Sequence, residues 1–313
     1  MADKKRQHTV PQVYLKNFAT PQKKKHYIYV FQKADKKIVL TEIGNAAVER
    51  DFYKLDAAER PLGWEDFYSE QIEPQTGFII RGLIKKASPI LLRPRAKILD
   101  GKEKASLAVY MMYQVARGRA ARNFMVPITQ KTAHEVTETL KAKYLFNVDD
   151  QLGAYIKSGL SKVAMAEASI NPTRMENLAR HLLSRYWVLY RIDGDAEFIT
   201  SDNPVMFADN STRDATPFSH GLGIPTTVVY YPISPKLMIV AYSKEFAAGA
   251  LEDCDNQIFM LDANKERAFI DFVNEMQVSQ CVLQAFAHSI SPIENVLGDG
   301  LSNRNKTAAN RHS

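Results

Sequence analysis

Only two cysteines, Cys254 and Cys281, occur in the 313 residues. Two thiols supply neither a disulfide framework nor a cysteine-based zinc quartet, so a reducing, cytoplasmic setting is the expectation. No apolar run approaches the roughly 18 residues that a membrane span requires. The opening Met-Ala-Asp-Lys-Lys-Arg lacks the apolar stretch of a secretory signal. No membrane partner is therefore expected. A glycine-rich phosphate loop and a Gly-x-Ser-x-Gly elbow are both missing, which disfavours P-loop nucleotide hydrolysis and the α/β-hydrolase class. No internal repeat and no low-complexity linker is visible, which favours a single domain over 8–297. A basic arm (1–7) and a polar tail (298–313) are expected to be disordered around it.

What is present is an ordinary globular composition, 45% hydrophobic and 24% charged. The net charge of +6 is unevenly placed. Within the first 25 residues, seven lysines and arginines face Asp3 alone, and Arg304, Lys306 and Arg311 add to the other end. The body between them is close to neutral or slightly acidic. Basic ends can hold a phosphate backbone, so nucleic acid is a candidate partner through the termini. Solvated, solubilising ends are the competing reading. The sequence sets no oligomeric state.

Hydrophobic periodicity gives the order of elements. A hairpin is predicted from 26–32 and 38–43, with a short strand at 51–55. Helices follow over 64–72 (ended or kinked by Pro74), 77–86, 102–124 (ended near Pro127), 129–145, 150–168 and 172–184. Strands are expected at 186–192, 197–200, 226–233, 237–243, 257–261 and 282–287, with a helix at 265–281 before the last of them. The sum is an α+β fold, a mostly antiparallel sheet with a helical block inserted between the N-terminal hairpin and the C-terminal strands and packed on one side.

Four places could carry chemistry. His8-Thr9-Val10-Pro11-Gln12-Val13-Tyr14-Leu15-Lys16-Asn17-Phe18 has apolar residues at helical offsets behind a proline, which predicts a short docked helix over 11–18 with His8 at its entry. On the long helix, Gln114 is centred in an apolar face with Arg117 at its edge. A buried amide or guanidinium needs partners, so this pair either orients a substrate or clamps the termini to the helices. Phe198-Ile199-Thr200-Ser201-Asp202-Asn203-Pro204 ends a strand in four polar residues, where function and ordinary Asx-turns both occur. Glu70 and Glu73 share a helix face and offer carboxylates for a divalent metal together with His8 and Asp202, although no His-Glu-x-x-His spacing supports it. His134 and His181 read as solvent-facing and packed histidines.

Taken together, His8-x-x-Pro11-x-x-Tyr14-Leu15-x-x-Phe18, Gln114-x-x-Arg117, Phe198-Ile-Thr-Ser-Asp-Asn-Pro204, Tyr231-Pro-Ile-Ser-Pro235 and Asn274 form a series. It resembles the bacterial family known as domain of unknown function 4238, from His8 to about His288. Gly118-Arg119 departs from the small hydroxyl residue expected after Arg117. No activity comes with the resemblance. It implies a shared polar site in which His8, Gln114, Arg117, Asp202, Asn203 and Asn274 converge, with Glu73 beside them.

Two functions fit. The first is a hydrolase of phosphodiester or nucleic-acid substrates, a nuclease in a bacterial stress or phage-defence setting. His8, Asp202 and Arg117 would be catalytic, Gln114, Asn203, Ser201 and Asn274 would bind substrate, and Asp202 and Glu73 would hold a divalent metal. The alternative is a non-catalytic binding or structural module whose polar motifs form a hydrogen-bonded clamp.

Overall fold

The computed structural model describes residues 6–50, 67–88, 95–144, 171–212 and 220–298. The strand expected at 51–55 and the helix expected at 150–168 lie outside them, as do the first five residues and 299–313.

The chain enters through strand β1 (Arg6–His8), which pairs antiparallel with β5 (Val48–Arg50). Arg6 and Gln7 therefore belong to a strand rather than to the expected arm. Helix α1 (Gln12–Leu15) and a 3-10 turn (Lys16–Phe18) follow and bury Tyr14, Leu15 and Phe18, as the spacing predicted. Strands β2 (Thr20–Gln22), β3 (Lys25–Gln32) and β4 (Lys37–Glu42) contain the predicted hairpin.

The helical block begins with a π turn at Tyr68–Ile72 that runs directly into α2 (Glu73–Lys86). Pro74 sits where the π turn passes into α2, so the proline does not end the helical run. Helix α3 (Gly101–Arg117) opens on a capping box built by Asp100 and Glu103. It stops at Gly118 rather than at 124, because Gly118 is extended (φ −70°, ψ 156°), and α4 (Arg119–Tyr144) starts immediately after. Pro127 lies inside α4 instead of ending a helix. Helix α5 (Pro172–Leu183) is capped by the Asn171 side chain, which accepts from the Arg174 N–H at 2.9 Å.

Sheet order is β11-β6-β10-β9-β8, from β6 (Tyr186–Asp193), β8 (Met206–Asp209), β9 (Thr227–Ser234), β10 (Leu237–Tyr242) and β11 (Gln257–Asp262). All pairings are antiparallel except β11 on β6. A second five-stranded sheet joins β2, β3 and β4 to β12 (Gln284–Ala287) and β7 (Thr200–Ser201). The fold is α+β, with its strands in two five-stranded sheets and the separate β1–β5 pair.

Alternation along β9 decides the layering. Val229, Tyr231 and Ile233 pack into one hydrophobic cluster with α1, α2, α3 and α5. Val228 and Tyr230 turn to the other face and meet Ile270, Val273 and Met276 of α6 (Arg267–Gln280). Helices thus cover both faces of this sheet, not one. Helix α7 (Ser291–Leu297) closes the described chain. Among the described residues no helix is long and apolar enough to cross a membrane.

Candidate functional site

The strap formed by β1 and α1 lies across the end of α3. Gln114 and Arg117 stand three residues apart on that helix, hence on one face. Gln114 Nε2 donates to the Thr9 carbonyl at 3.1 Å, and Arg117 Nη2 donates to the His8 carbonyl at 2.7 Å. Two successive carbonyls of the strap are therefore held by two successive turns of helix. Arg117 Nη1 meets Glu73 Oε1 at 2.9 Å, and the guanidinium lies 4.2 Å from the centre of the Tyr68 ring. Arg117 is 2% exposed. At that burial its charge requires the carboxylate, the carbonyl and the ring face together. The imidazole of His8 rests against its own chain, with Nε2 3.2 Å from the Gln12 amide. Arg117 holds the backbone of His8 through its carbonyl.

Thr9 continues the strap. Its N–H and its hydroxyl both donate to the Ala47 carbonyl, at 2.9 and 3.2 Å. Tyr14 then ties the strap to the second motif. Its hydroxyl donates to the Pro232 carbonyl at 2.5 Å and lies 2.7 Å from Thr200 Oγ1. The phenol has one proton and gives it to a carbonyl, so Thr200 is the donor in the second bond. Burial pushes the Tyr14 hydroxyl well above its usual range, which keeps that proton in place. The ring stacks on Tyr231 at 5.5 Å.

At the end of β7 the polar run folds back on β12. Asp202 accepts three backbone N–H bonds, from Val282 (2.8 Å), Leu283 (2.7 Å) and Gln284 (3.1 Å). Its own N–H donates to the Gln284 carbonyl at 2.9 Å. Burial raises the Asp202 carboxyl above the usual carboxylate range, opposed by those three N–H groups and by the charge of Arg119. Ser201 Oγ donates to Gln277 Oε1 at 2.6 Å and accepts from the Asn203 N–H at 3.1 Å. Gln277 in turn donates to the Pro204 carbonyl at 3.2 Å. One turn earlier on α6, Asn274 accepts from the Ile199 N–H and donates to the Glu197 carbonyl, both at 2.9 Å.

Those last two bonds explain a difference from the sequence reading. Residues 197–199 are not part of a strand, because the Asn274 side chain takes the backbone groups that a neighbouring strand would have taken. Only Thr200 and Ser201 pair, with β12 and not with β6.

The motifs do meet. An ideal Cβ on Gly118 would stand 3.9 Å from the Asp202 carbonyl, so the residue after Arg117 touches the Ser-Asp-Asn turn. Arg119 pairs with Glu49 of β5. Yet the side chains address backbone groups around them and not a common point. Glu73 belongs to the Arg117 cluster, while Asp202 is turned onto β12. Among the described residues no group of three or more His, Cys, Asp or Glu side chains is placed to hold a metal ion. Of the two carboxylates expected to hold a metal, Glu73 pairs with Arg117 and Asp202 accepts from the backbone N–H groups of 282–284.

Sequence reasoning missed Thr9, Tyr14 as a hydroxyl, Tyr68 and Gln277. Gln277 had a signal, three residues beyond Asn274 on the same helix face. Tyr14 had none, because its ring fits the apolar stripe regardless of what its hydroxyl does.

No match was found among curated proteins or among solved structures. A family model does match, over residues 6–291. The match takes in the strap, the helical block, both sheets and α6, and the chain belongs to the family described as protein of unknown function (DUF4238).

Proposed function

We propose that the shared motifs are a hydrogen-bonded clamp and that the protein is a non-catalytic binding or structural module. One observation carries this reading. Asp202, the group best suited to catalysis, directs its carboxylate at three consecutive backbone N–H groups of 282–284. Arg117, cast as the phosphate contact, is likewise engaged by Glu73 and the His8 carbonyl. A phosphodiester would have to displace these bonds, leaving buried polar groups orphaned.

The discriminating experiment compares Asp202→Ala and Arg117→Ala with the wild-type protein. The clamp requires a lower melting temperature for both, with no turnover of DNA, RNA or nucleotides by the wild type in Mg²⁺ or Mn²⁺. Cleavage by the wild type, lost in either variant at unchanged melting temperature, would establish the hydrolase instead.

A nucleic-acid partner has one observation in its favour. Lys23 and Lys24 stand exposed at the turn between β2 and β3, and Lys25, at the start of β3, is exposed and paired with Glu42. Binding of this kind weakens steeply with salt. A titration against single- and double-stranded oligonucleotides at two salt concentrations tests it, and salt-independent or absent binding removes it.

A further inference from the structure

Away from the clamp, helix α2 carries an aromatic ring on the face that its pattern leaves to water. Ile79, Ile80 and Leu83 form its buried side and enter the core. Phe78 is 73% exposed, more than any other large hydrophobic side chain among the described residues. At about 100° per residue, Pro74, Arg81, Gly82 and Lys85 fall within about 60° of Phe78 and share its face. All are exposed except Gly82, which is half-buried. A Cβ built on Gly82 would meet nothing within 4 Å, so the surface beside the ring is open. Arg81 Nη1 lies 3.1 Å from an ideal Cβ on Gly77, which brings its charge back to the level of Phe78. Lys85 stands two turns beyond the ring, about 10 Å along the axis. Among the described residues neither Arg81 nor Lys85 has a carboxylate partner, whereas the neighbouring Lys86 pairs with Glu103.

The composition of this face narrows the partner. A helix docked along it would need apolar anchors at i, i+3, i+4 and i+7, and Phe78 is the one large apolar side chain there. A lipid surface likewise draws on a broad apolar face beside its cations. One open ring with two unneutralised cations suits instead a polyanion whose units carry flat, π-faced groups. Nucleic-acid bases stack on aromatic side chains whatever their sequence, and their phosphates meet Arg and Lys. In a duplex the bases are already stacked on one another, so the strand that fits this face is single.

We propose that the exposed face of α2 binds single-stranded nucleic acid, with a base stacked on Phe78 and phosphates held by Arg81 and Lys85. The inference rests on the nucleic-acid reading for the class of partner, not on the clamp, and it moves the main contact from the β2–β3 turn to α2. Fluorescence anisotropy of the full chain with labelled oligothymidylate, oligouridylate, a DNA duplex of equal length and an oligoglutamate peptide tests it. Either single strand should bind at least fivefold tighter than the duplex. Phe78→Ala should lose at least fivefold, the lower end of what one stacked base contributes, while melting as the wild type does, and Phe78→Tyr should keep the affinity. Arg81→Gln with Lys85→Gln should reduce the slope of log affinity against log salt by about 1.4, at about 0.7 for each phosphate contact on a single strand. A fivefold preference between the two strands assigns DNA or RNA, and equal affinities assign the base and phosphate chemistry they share. Full retention of binding by Phe78→Ala, or equal affinity for duplex and single strand, overturns the proposal and leaves nucleic acid to the β2–β3 turn. No saturable binding of any strand overturns both readings. Tighter binding of oligoglutamate than of either strand overturns the proposal in favour of an acidic protein.

Discussion

Asp202 shows how much a single side chain can do for a backbone. The N–H groups of 282–284 precede and enter β12, and the two oxygens of one carboxylate receive all three. An asparagine offers one oxygen and would place an N–H donor against a donor. Asp202→Asn is therefore expected to lower stability by roughly 1–3 kcal/mol, the usual range for orphaned buried partners. Urea melts read this directly, and an unchanged midpoint would remove the clamp's central contact. Glu73 is the matching test at the other cluster. Removing one partner of a fully buried ion pair costs about 3–5 kcal/mol. Glu73 keeps an edge in water, 18% exposed against 1% for Arg117, so Glu73→Ala should fall at the lower end. The two thiols supply a chemical check. Cys281 is buried, and desolvation, with the nearby charge of Asp202, pushes its thiol up to about 12. Only the thiolate is nucleophilic, so Cys281 should resist alkylation in the native protein while the half-buried Cys254 reacts first. Equal labelling of both under native conditions would contradict the packing around β12.

Among the elements, the two glycines near the strap have opposite meanings. An ideal Cβ at Gly77 of α2 would stand 2.3 Å from Cγ2 of Val13, inside any tolerable contact. Valine is stiff at χ1, so α1 would have to move. Gly77→Ala is expected to loosen the strap and lower the melting temperature, despite alanine's better helix propensity. At Gly118 the same construction meets nothing closer than 3.4 Å and the backbone has negative φ, so Gly118→Ala should be close to neutral. Thermal melts of the pair separate packing from propensity. These glycines also mark what was legible beforehand. The hairpin, the strap helix, α5 and the β9–β10 pair follow from periodicity and turn residues, because their buried faces are written locally. The break between α3 and α4 was not legible: helix formers flank Gly118 on both sides, and the chain departs there beside Asp202, 84 residues away in sequence. The candidate site divides in the same way. Gln114, Arg117, Asp202 and Asn274 stand out as polar residues in apolar surroundings, but which backbone group each one addresses is set by tertiary contact and has no sequence signature.

For the whole molecule, acid is the most informative stress, because its carboxylates pull in different directions. Asp209, at the end of β8, accepts from the Ser211 and Thr226 hydroxyls and from backbone N–H groups, and these hold its carboxyl well below the ordinary range. A depressed native pKa contributes stability that is present above the unfolded value of about 4 and is lost as pH falls through the native one. Asp202 acts with the opposite sign. Its raised native pKa means the unfolded chain gives up that proton first, so its contribution declines as pH rises from about 4 to the native value. The terms separate by substitution. In Asp209→Asn the fall in urea midpoint between pH 6 and pH 3 should be smaller than in the wild-type protein, because the group that loses its bonds on protonation is gone. In Asp202→Asn that fall should be steeper, since removing a group with a raised pKa removes the part of the profile that favours low pH. Parallel profiles for both variants and the wild type would mean that neither carboxylate titrates differently in the native and unfolded chains, and the roles given to β8 and β12 here would be wrong.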